Sequence, residues 1–355
     1  MSPGSVFEVA PSGGDDTNPL QAALDAASAA GPGAVIQLKK GVFRVGRPLV
    51  GLNLDVTIRG AGMGRTEILA DATVNSDSDG LFRLLLPGEA EALRLFALPY
   101  LLLFVESDVD RSGVPVSTRR PQRIAMRRLT LGAQGLTKEH FDVSANGITQ
   151  RLFSLVWVAG YRPDWTNSGE QTPLDIKGID AEHAQVSTVR ATFCKVHFDG
   201  RNRARGDEDP GGAFDPLPDV RNGFGLEGGF ALPPLGDGVF KPVNGALRFT
   251  RCRFSDLPGQ AGIFAAQLVG PADSAWTFGP HPVKARVIVR NSVFPATNLG
   301  VSAPDLSDAK VSVTGHKFQQ VGFSIEASTS RQSTTPEGQE IGYPASVRSR
   351  VKVKR

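Results

Sequence analysis

One phrase recurs along this chain. A short run of alternating apolar and polar residues closes on an aromatic, a turn follows, and a glycine with an apolar neighbour opens the next run. It is clearest in three consecutive copies: Leu247–Phe254 leads to Gly262-Ile263-Phe264, Val287–Phe294 to Gly300-Val301-Ser302, and Val311–Phe318 to Gly322-Phe323-Ser324. Alternation with period two marks a half-buried strand, so each copy reads as strand, turn, strand. A unit this small cannot bury its apolar face alone. Neighbouring copies must stack to do so.

The phrase continues upstream less regularly, at Gly80-Leu81, Gly147-Ile148, Gly178-Ile179 and Gly223-Phe224, with Ile124–Leu131 and Thr192–Phe198 as preceding runs. The opening glycines are separated by 67, 31, 45, 39, 38 and 22 residues. The shortest interval is about one turn of a stack, and the longer ones carry insertions, chiefly 83–120, 152–177, 199–221, 228–245 and 265–285. Loops on a rigid scaffold are where binding residues concentrate.

Charge and cysteine content narrow the field. A net charge of +3, from 39 basic and 36 acidic residues, is too balanced to point to nucleic acid or an anionic membrane. Cys194 and Cys252 are too few for a disulfide framework and read as free thiols. The most apolar stretch, Leu93–Val105, has 13 residues and includes Arg94 and Pro99. A span needs about 20 apolar residues, so none is expected. Met1–Gly4 shows no basic or apolar leader, so no signal peptide is visible.

The first seventy residues have a definite order. Phe7–Ala10 reads as a strand, 11–16 as turn, and Leu20–Ala27 as a helix, with Asp16 or Thr17 as its cap and Pro19 in its first turn. Gly31-Pro32-Gly33 stops it, strands Ala34–Leu38, Val42–Val45 and Leu54–Arg59 follow, and Gly60, Gly62 and Gly64 read as turn glycines. This order resembles the start of a pectin-lyase-like right-handed parallel β-helix. The resemblance implies an all-β fold: one right-handed parallel β-helix over 1–346 with long loop insertions, a helix over 17–30 capping its open end, and 347–355 as a basic C-terminal strand or tail. It also implies an exported protein, extracellular or at the cell surface. Neither the polygalacturonase motif set nor the pectate-lyase arginine motif is present, so no specific enzyme family follows.

Placing the residue after each opening glycine inward makes eleven of twelve inward residues apolar. The outward residues then include Arg151, Asp180, Glu182 and Glu227. With strands about 4.8 Å apart, Arg151, Glu182 and Glu227 would form one outward column, with Asp180 beside it and His183 at the strand's end. This is the expected catalytic set. Paired carboxylates about 5–9.5 Å apart serve glycoside hydrolysis; carboxylates beside a basic group serve Ca2+-assisted β-elimination of a uronate. Ca2+ would enter only with lyase chemistry, and no metal ligands are assigned. The same charges also suit a solvated face that keeps a stack soluble.

Arg201 and Arg203, in the charged loop 199–210, are candidate contacts to an acidic sugar. Trp157, Tyr161 and Trp165 are candidates for stacking on sugar rings. The reading is a polysaccharide lyase or glycoside hydrolase whose partner is a polysaccharide or oligosaccharide, with no nucleic acid and no membrane span. The alternatives are a non-catalytic glycan-binding, adhesive or structural protein, and a scaffold recruited to isomerase or cyclase chemistry. Oligomeric state is left open.

Overall fold

The computed structural model describes residues 4–74, 100–107, 122–136, 142–145, 148–151, 154–162, 187–203, 222–227, 229–230, 240–241, 243–255, 257, 261–266, 285–295, 299–302, 310–315, 317–319, 323–326, 333–334, 340–341 and 350–354. They form an all-β architecture of parallel ladders with one α-helix among the described residues. In each ladder, spatial order follows chain order.

The first ladder runs Val6–Val9, Ala34–Leu38, Asp55–Arg59, Gln122–Gln134, Ser187–Arg203, Val243–Thr250, Ala285–Arg290, Lys310–Thr314 and Arg350–Lys354. Gln122–Gln134 and Ser187–Arg203 are long enough to turn a corner and join a second ladder. That ladder also holds Gly41–Val45, Thr66–Asp71, Arg253–Ser255, Val293–Pro295 and Lys317–Gln319. The third ladder runs Leu49–Leu52, Tyr100–Ser107, Ser154–Arg162, Asn222–Glu227, Ala261–Ala266, Leu299–Ser302 and Phe323–Glu326. All pairings within these ladders are parallel.

The closing aromatics of the repeat explain the register. Phe198 pairs with Phe254 across the second ladder, and Phe294 with Phe318. The rings of Phe198 and Phe254 stack at 4.6 Å and 1°, those of Phe254 and Phe294 at 4.7 Å and 4°. Phe193 stacks on Phe249 at 5.0 Å in the first ladder. Each such pair adds about 0.5–1.5 kcal/mol beyond its buried area. A one-residue slip would turn every ring outward, which fixes the pairing.

Between the first and second ladders the chain turns at a left-handed residue. Arg128, Lys195, Arg251 and Asn291 have φ of 59°, 54°, 55° and 49°, and Gly315 occupies the same place at 58°. The ladder bonds continue through it, with Arg251 N–H donating to the Arg290 carbonyl and Asn291 N–H to that of Thr314, both at 2.9 Å. Each of these residues lies three before its closing Leu131, Phe198, Phe254, Phe294 or Phe318.

The helix Thr17–Ala30 closes the edge of the third ladder. Among the described residues, Leu49–Leu52 has a ladder partner on one side only. On the other, the Gln21 side-chain amide donates to the Val50 carbonyl (2.8 Å) and accepts from Val50 N–H (2.9 Å), imitating a neighbouring strand. Ser28 Oγ donates to the Leu52 carbonyl. Buried edge groups are thereby satisfied. The helix cap differs from the expected one: Thr17 N–H donates to Asp15 Oδ1 at 2.9 Å. Asp16, fully buried, instead accepts from Ser12 N–H and Arg44 N–H, tying the helix entry to the second ladder.

Two registers differ from expectation. Ile148–Arg151 pairs antiparallel with Asp142–Ala145, and Ser154–Arg162 is the strand that enters the third ladder there. Ser154–Val158 is buried on both faces, so its apolar run carries no alternation for a sequence reading to find. Val301 pairs with Ile325 rather than Phe323, a two-residue offset that keeps the same face inward.

Replacing Gln21 with Ala strips the Val50 N–H and carbonyl of partners in a buried position. A loss of about 2–4 kcal/mol in chemical unfolding is expected; a change under about 0.5 kcal/mol would mean that water serves the edge equally well.

Candidate functional site

The residues expected to form an outward column do not share adjacent rungs where they are described. Arg151 stands opposite Asp142 in the antiparallel pair. Glu227 sits in the third ladder between Ala159 and Ala266, so neither rung neighbour is charged. Asp180, Glu182, His183 and Trp165 lie outside the described residues. Trp157 is 1% exposed, between Leu103 and Gly225, and is a core residue rather than a sugar platform. Tyr161 falls in the same strand, where pairing with Tyr100–Ser107 shifts register between Ala159 and Arg162.

Arg201 and Arg203 belong to a strand, not a loop: Ser187–Arg203 continues past the corner through both. The structure brings them into a polar cluster on the second ladder. Register places Glu67, Thr130, His197 and Arg253 in one row across four strands. Asp199 and Ser255 pair in a second row, and Asp71, Gln134 and Arg203 in a third. Period-two geometry puts the three rows on one face.

Asp199 is fully buried and accepts from both arginines: Arg201 Nη2 at 3.1 Å and Arg203 Nη2 at 3.2 Å onto Oδ2, with Arg201 Nε at 3.1 Å onto Oδ1. Arg203 Nη1 also donates to Glu67 Oε2, so one guanidinium bridges two carboxylates. Burial pushes the Asp199 carboxyl up, but hydrogen bonds from Arg201 and the nearby His197 and Arg201 charges leave it below its usual 3.8. Burial lowers the Arg203 value and the bonds to Glu67 and Asp199 more than restore it, so it ends raised. Asp71 is also fully buried, with Oδ1 accepting from Thr73 and Oδ2 3.7 Å from Arg44 Nη1.

His197 Nε2 and Ser255 Oγ lie 2.8 Å apart. Burial depresses the imidazole below its usual 6.5; Asp199 opposes this, while Arg253, Arg201 and Arg203 add to it. The neutral imidazole of His197 is therefore favoured, beside cations. An uncharged base, a hydroxyl that can fix its tautomer, and guanidiniums that can receive an anion meet on one face. Among the described residues, no group of three His, Cys, Asp or Glu side chains is arranged to hold a metal ion.

Sequence reasoning missed His197, Ser255 and Glu67. A signal existed: aligning the closing aromatics puts His197 and Arg253 one residue before Phe198 and Phe254, and Asp199 and Ser255 one after.

No protein-family model matches the chain, and comparison with curated proteins finds no match. Among solved structures it is similar to a PL6 family alginate lyase, at 13% identity and a TM-score of 0.27, over 99% of this chain and 39% of that one. It is also similar to the A-module of the Azotobacter vinelandii mannuronan C-5 epimerase, at 13% identity and a TM-score of 0.22, over 100% and 93% of the two chains. The chain thus spans about two fifths of the lyase it matches. Similarity this slight assigns no chemistry.

Two outcomes follow from the site. The unfolded chain protonates His197 near its usual 6.5 and the folded chain resists, so stability is held above that pH and lost as pH falls through the depressed folded value. His197→Asn should flatten the part of the pH–stability curve below 6.5 in unfolding titrations; an unchanged curve would place the proton uptake elsewhere. Cys252, buried and pushed up to about 12, should stay unlabelled by a thiol reagent at pH 8 until the chain unfolds, whereas the half-buried Cys194 reacts in the folded state.

Proposed function

We propose that the chain is a right-handed parallel β-helix protein, of the pectin-lyase-like kind, that acts on an acidic polysaccharide by β-elimination. One observation carries this reading: His197, 2.8 Å from Ser255 Oγ, stands in register with Arg253 and in one cluster with Arg201 and Arg203, where burial and these cations lower its imidazole value. Elimination from a uronate needs the carboxylate paired with a cation and a neutral base beside the adjacent C–H. In this reading the carboxylate is received by Arg201, whose side chain is 62% exposed, and by Arg253, in register with His197. The scheme takes the tautomer in which His197 Nε2–H donates to Ser255 Oγ across their 2.8 Å contact, leaving the Nδ1 lone pair as the base.

In this scheme Nδ1 takes the proton from the carbon next to the carboxylate. The electron pair left behind forms a carbon–carbon double bond, the glycosidic carbon–oxygen bond breaks, and the leaving oxygen takes a proton from water. Glycoside hydrolysis is the weaker branch at this corner. It requires a carboxyl group that can donate a proton, and Asp199 is held ionised at neutral pH by its two arginines.

A non-catalytic glycan-binding protein is the second reading, favoured by the saturation of Asp199 and Glu67 with arginine partners. Arg151, Asp180, Glu182, His183 and Glu227 are retained as a separate catalytic candidate set.

Incubation with polyuronates, followed by absorbance of the unsaturated product, separates these. Turnover that falls about 10²–10⁴-fold in His197→Ala, and that in the unaltered protein persists below pH 6.5, supports the corner. Loss in a Glu182→Gln, Glu227→Gln double variant with His197→Ala unaffected would move the chemistry to the second set. Binding without turnover would leave the glycan-binding reading.

A further inference from the structure

The outer face of the first ladder carries a charge pattern that the balanced composition conceals. Three outward columns can be followed across it by register. One holds Arg59, Arg127 and Arg290; another Arg248; the third Arg123, Arg190 and Arg286. Every one of the five successive strands from Asp55–Arg59 to Ala285–Arg290 contributes at least one arginine to these columns. The acid among their described residues is Asp55, 3.6 Å from Arg123. The turn column alongside adds the exposed Arg128, Lys195 and Arg251.

Like charges directly opposite one another on neighbouring strands destabilise a sheet. Here Arg59 faces Arg127, and Arg123 faces Arg190. Dispersed surface charge needed only for solubility mixes both signs. A strip about 19 Å long, four steps of about 4.8 Å, with seven arginines against the one acid Asp55, is instead a field suited to a linear polyanion.

We propose that this face is a docking surface for an acidic polysaccharide laid along the stacking axis, across the strands, separate from the corner cluster. The class of occupant rests on the polysaccharide reading above; the polyanion chemistry rests on the face alone. Three features favour a polyuronate over nucleic acid. The columns contain no aromatic side chain on which bases could stack. Among the described residues the sheet face offers no projecting helix or ribbon for a groove. Between the cations stand the hydroxyls of Thr57, Thr192 and Thr250, which suit sugar hydroxyls. The step between strands is also close to the length of one sugar in an extended chain, so carboxylates can meet successive rungs in register.

The test uses the full chain and four probes at matched salt: polygalacturonate, neutral dextran of similar length, duplex DNA, and vesicles containing phosphatidylserine. Polygalacturonate should bind most tightly, weaken steeply with added salt, and lose about tenfold or more in affinity in Arg127→Gln, Arg190→Gln, Arg248→Gln, Arg290→Gln combined. These side chains are exposed, and an unchanged melting temperature checks that the variant folds. Arg47→Gln, exposed beside the helix, should bind as the unaltered protein does. Equal binding by the fourfold variant, equal binding of dextran, or tighter binding of DNA or vesicles overturns the proposal. Polygalacturonate binding that depends on the four arginines without any turnover sustains this surface and sinks the elimination reading. Turnover of short oligomers that survives while polymer binding is absent does the reverse.

Discussion

The left-handed corner is the constraint on which the rest depends. Two ladders that share strands must both stay in register, and they do so only if each pass breaks at the same residue with the same dihedral angles. Arg128, Lys195, Arg251, Asn291 and Gly315 meet that demand. A non-glycine residue in this conformation costs about 1–2 kcal/mol, and the cost is offset by ladder bonds on both sides and by rings that fall directly over one another. Once the corner is set, position relative to it decides each side chain's fate. One residue on, Leu129 and Val196 turn inward; two on, Thr130 and His197 turn outward; three on, Leu131 and Phe198 rejoin the core.

A stack of this kind is stable in its middle and exposed at its ends, where backbone groups lack a neighbour. At the N-terminal end the solution is a helix that carries a strand's hydrogen-bonding pattern on a side chain. Gln21 offers Val50 one donor and one acceptor, as a backbone amide would. Asn202 repeats the device at the second ladder, donating to the Leu136 carbonyl and accepting from its N–H. Both are side-chain amides because only that group combines a donor and an acceptor at the required separation.

The repeat, its parallel stacking and the helix near the N-terminus were legible in the sequence because each rests on hydrophobic periodicity. Phe198, Phe254, Phe294 and Phe318 could be aligned by eye, and the structure aligns them. The corner was not legible, since arginine and lysine are poor indicators of positive φ and their role there is set by the ladders, not by local propensity. The strand Ser154–Arg162 was missed because burial on both faces erases alternation. The candidate site suffered from both failures. Its rows depend on a register fixed by the corner, and the pass through Gly147 was assigned to the wrong segment, which put Arg151 on a ladder it does not join. Arg201 and Arg203 were found because charge density alone singled them out, although the reason they matter, a shared hold on Asp199, is tertiary.

Net charge proved the least informative number in the sequence. A chain at +3 can still hold a predominantly cationic face, because strand geometry sorts residues by parity and a ladder then lines them up. The sorting is rigid: rung spacing is set by backbone hydrogen bonds, so the cations cannot spread apart to relieve their repulsion. That repulsion is a standing bias toward any partner whose negative charges repeat at a similar interval, and the preorganised array loses little entropy on binding it. A mobile basic loop with the same charges could relax in the absence of a partner and would have to be ordered again to bind one. His197 lies two residues past the corner, where burial first, and then the charges of Arg253, Arg201 and Arg203, hold its imidazole below its usual value, so the base is set by its own cluster and not by the array.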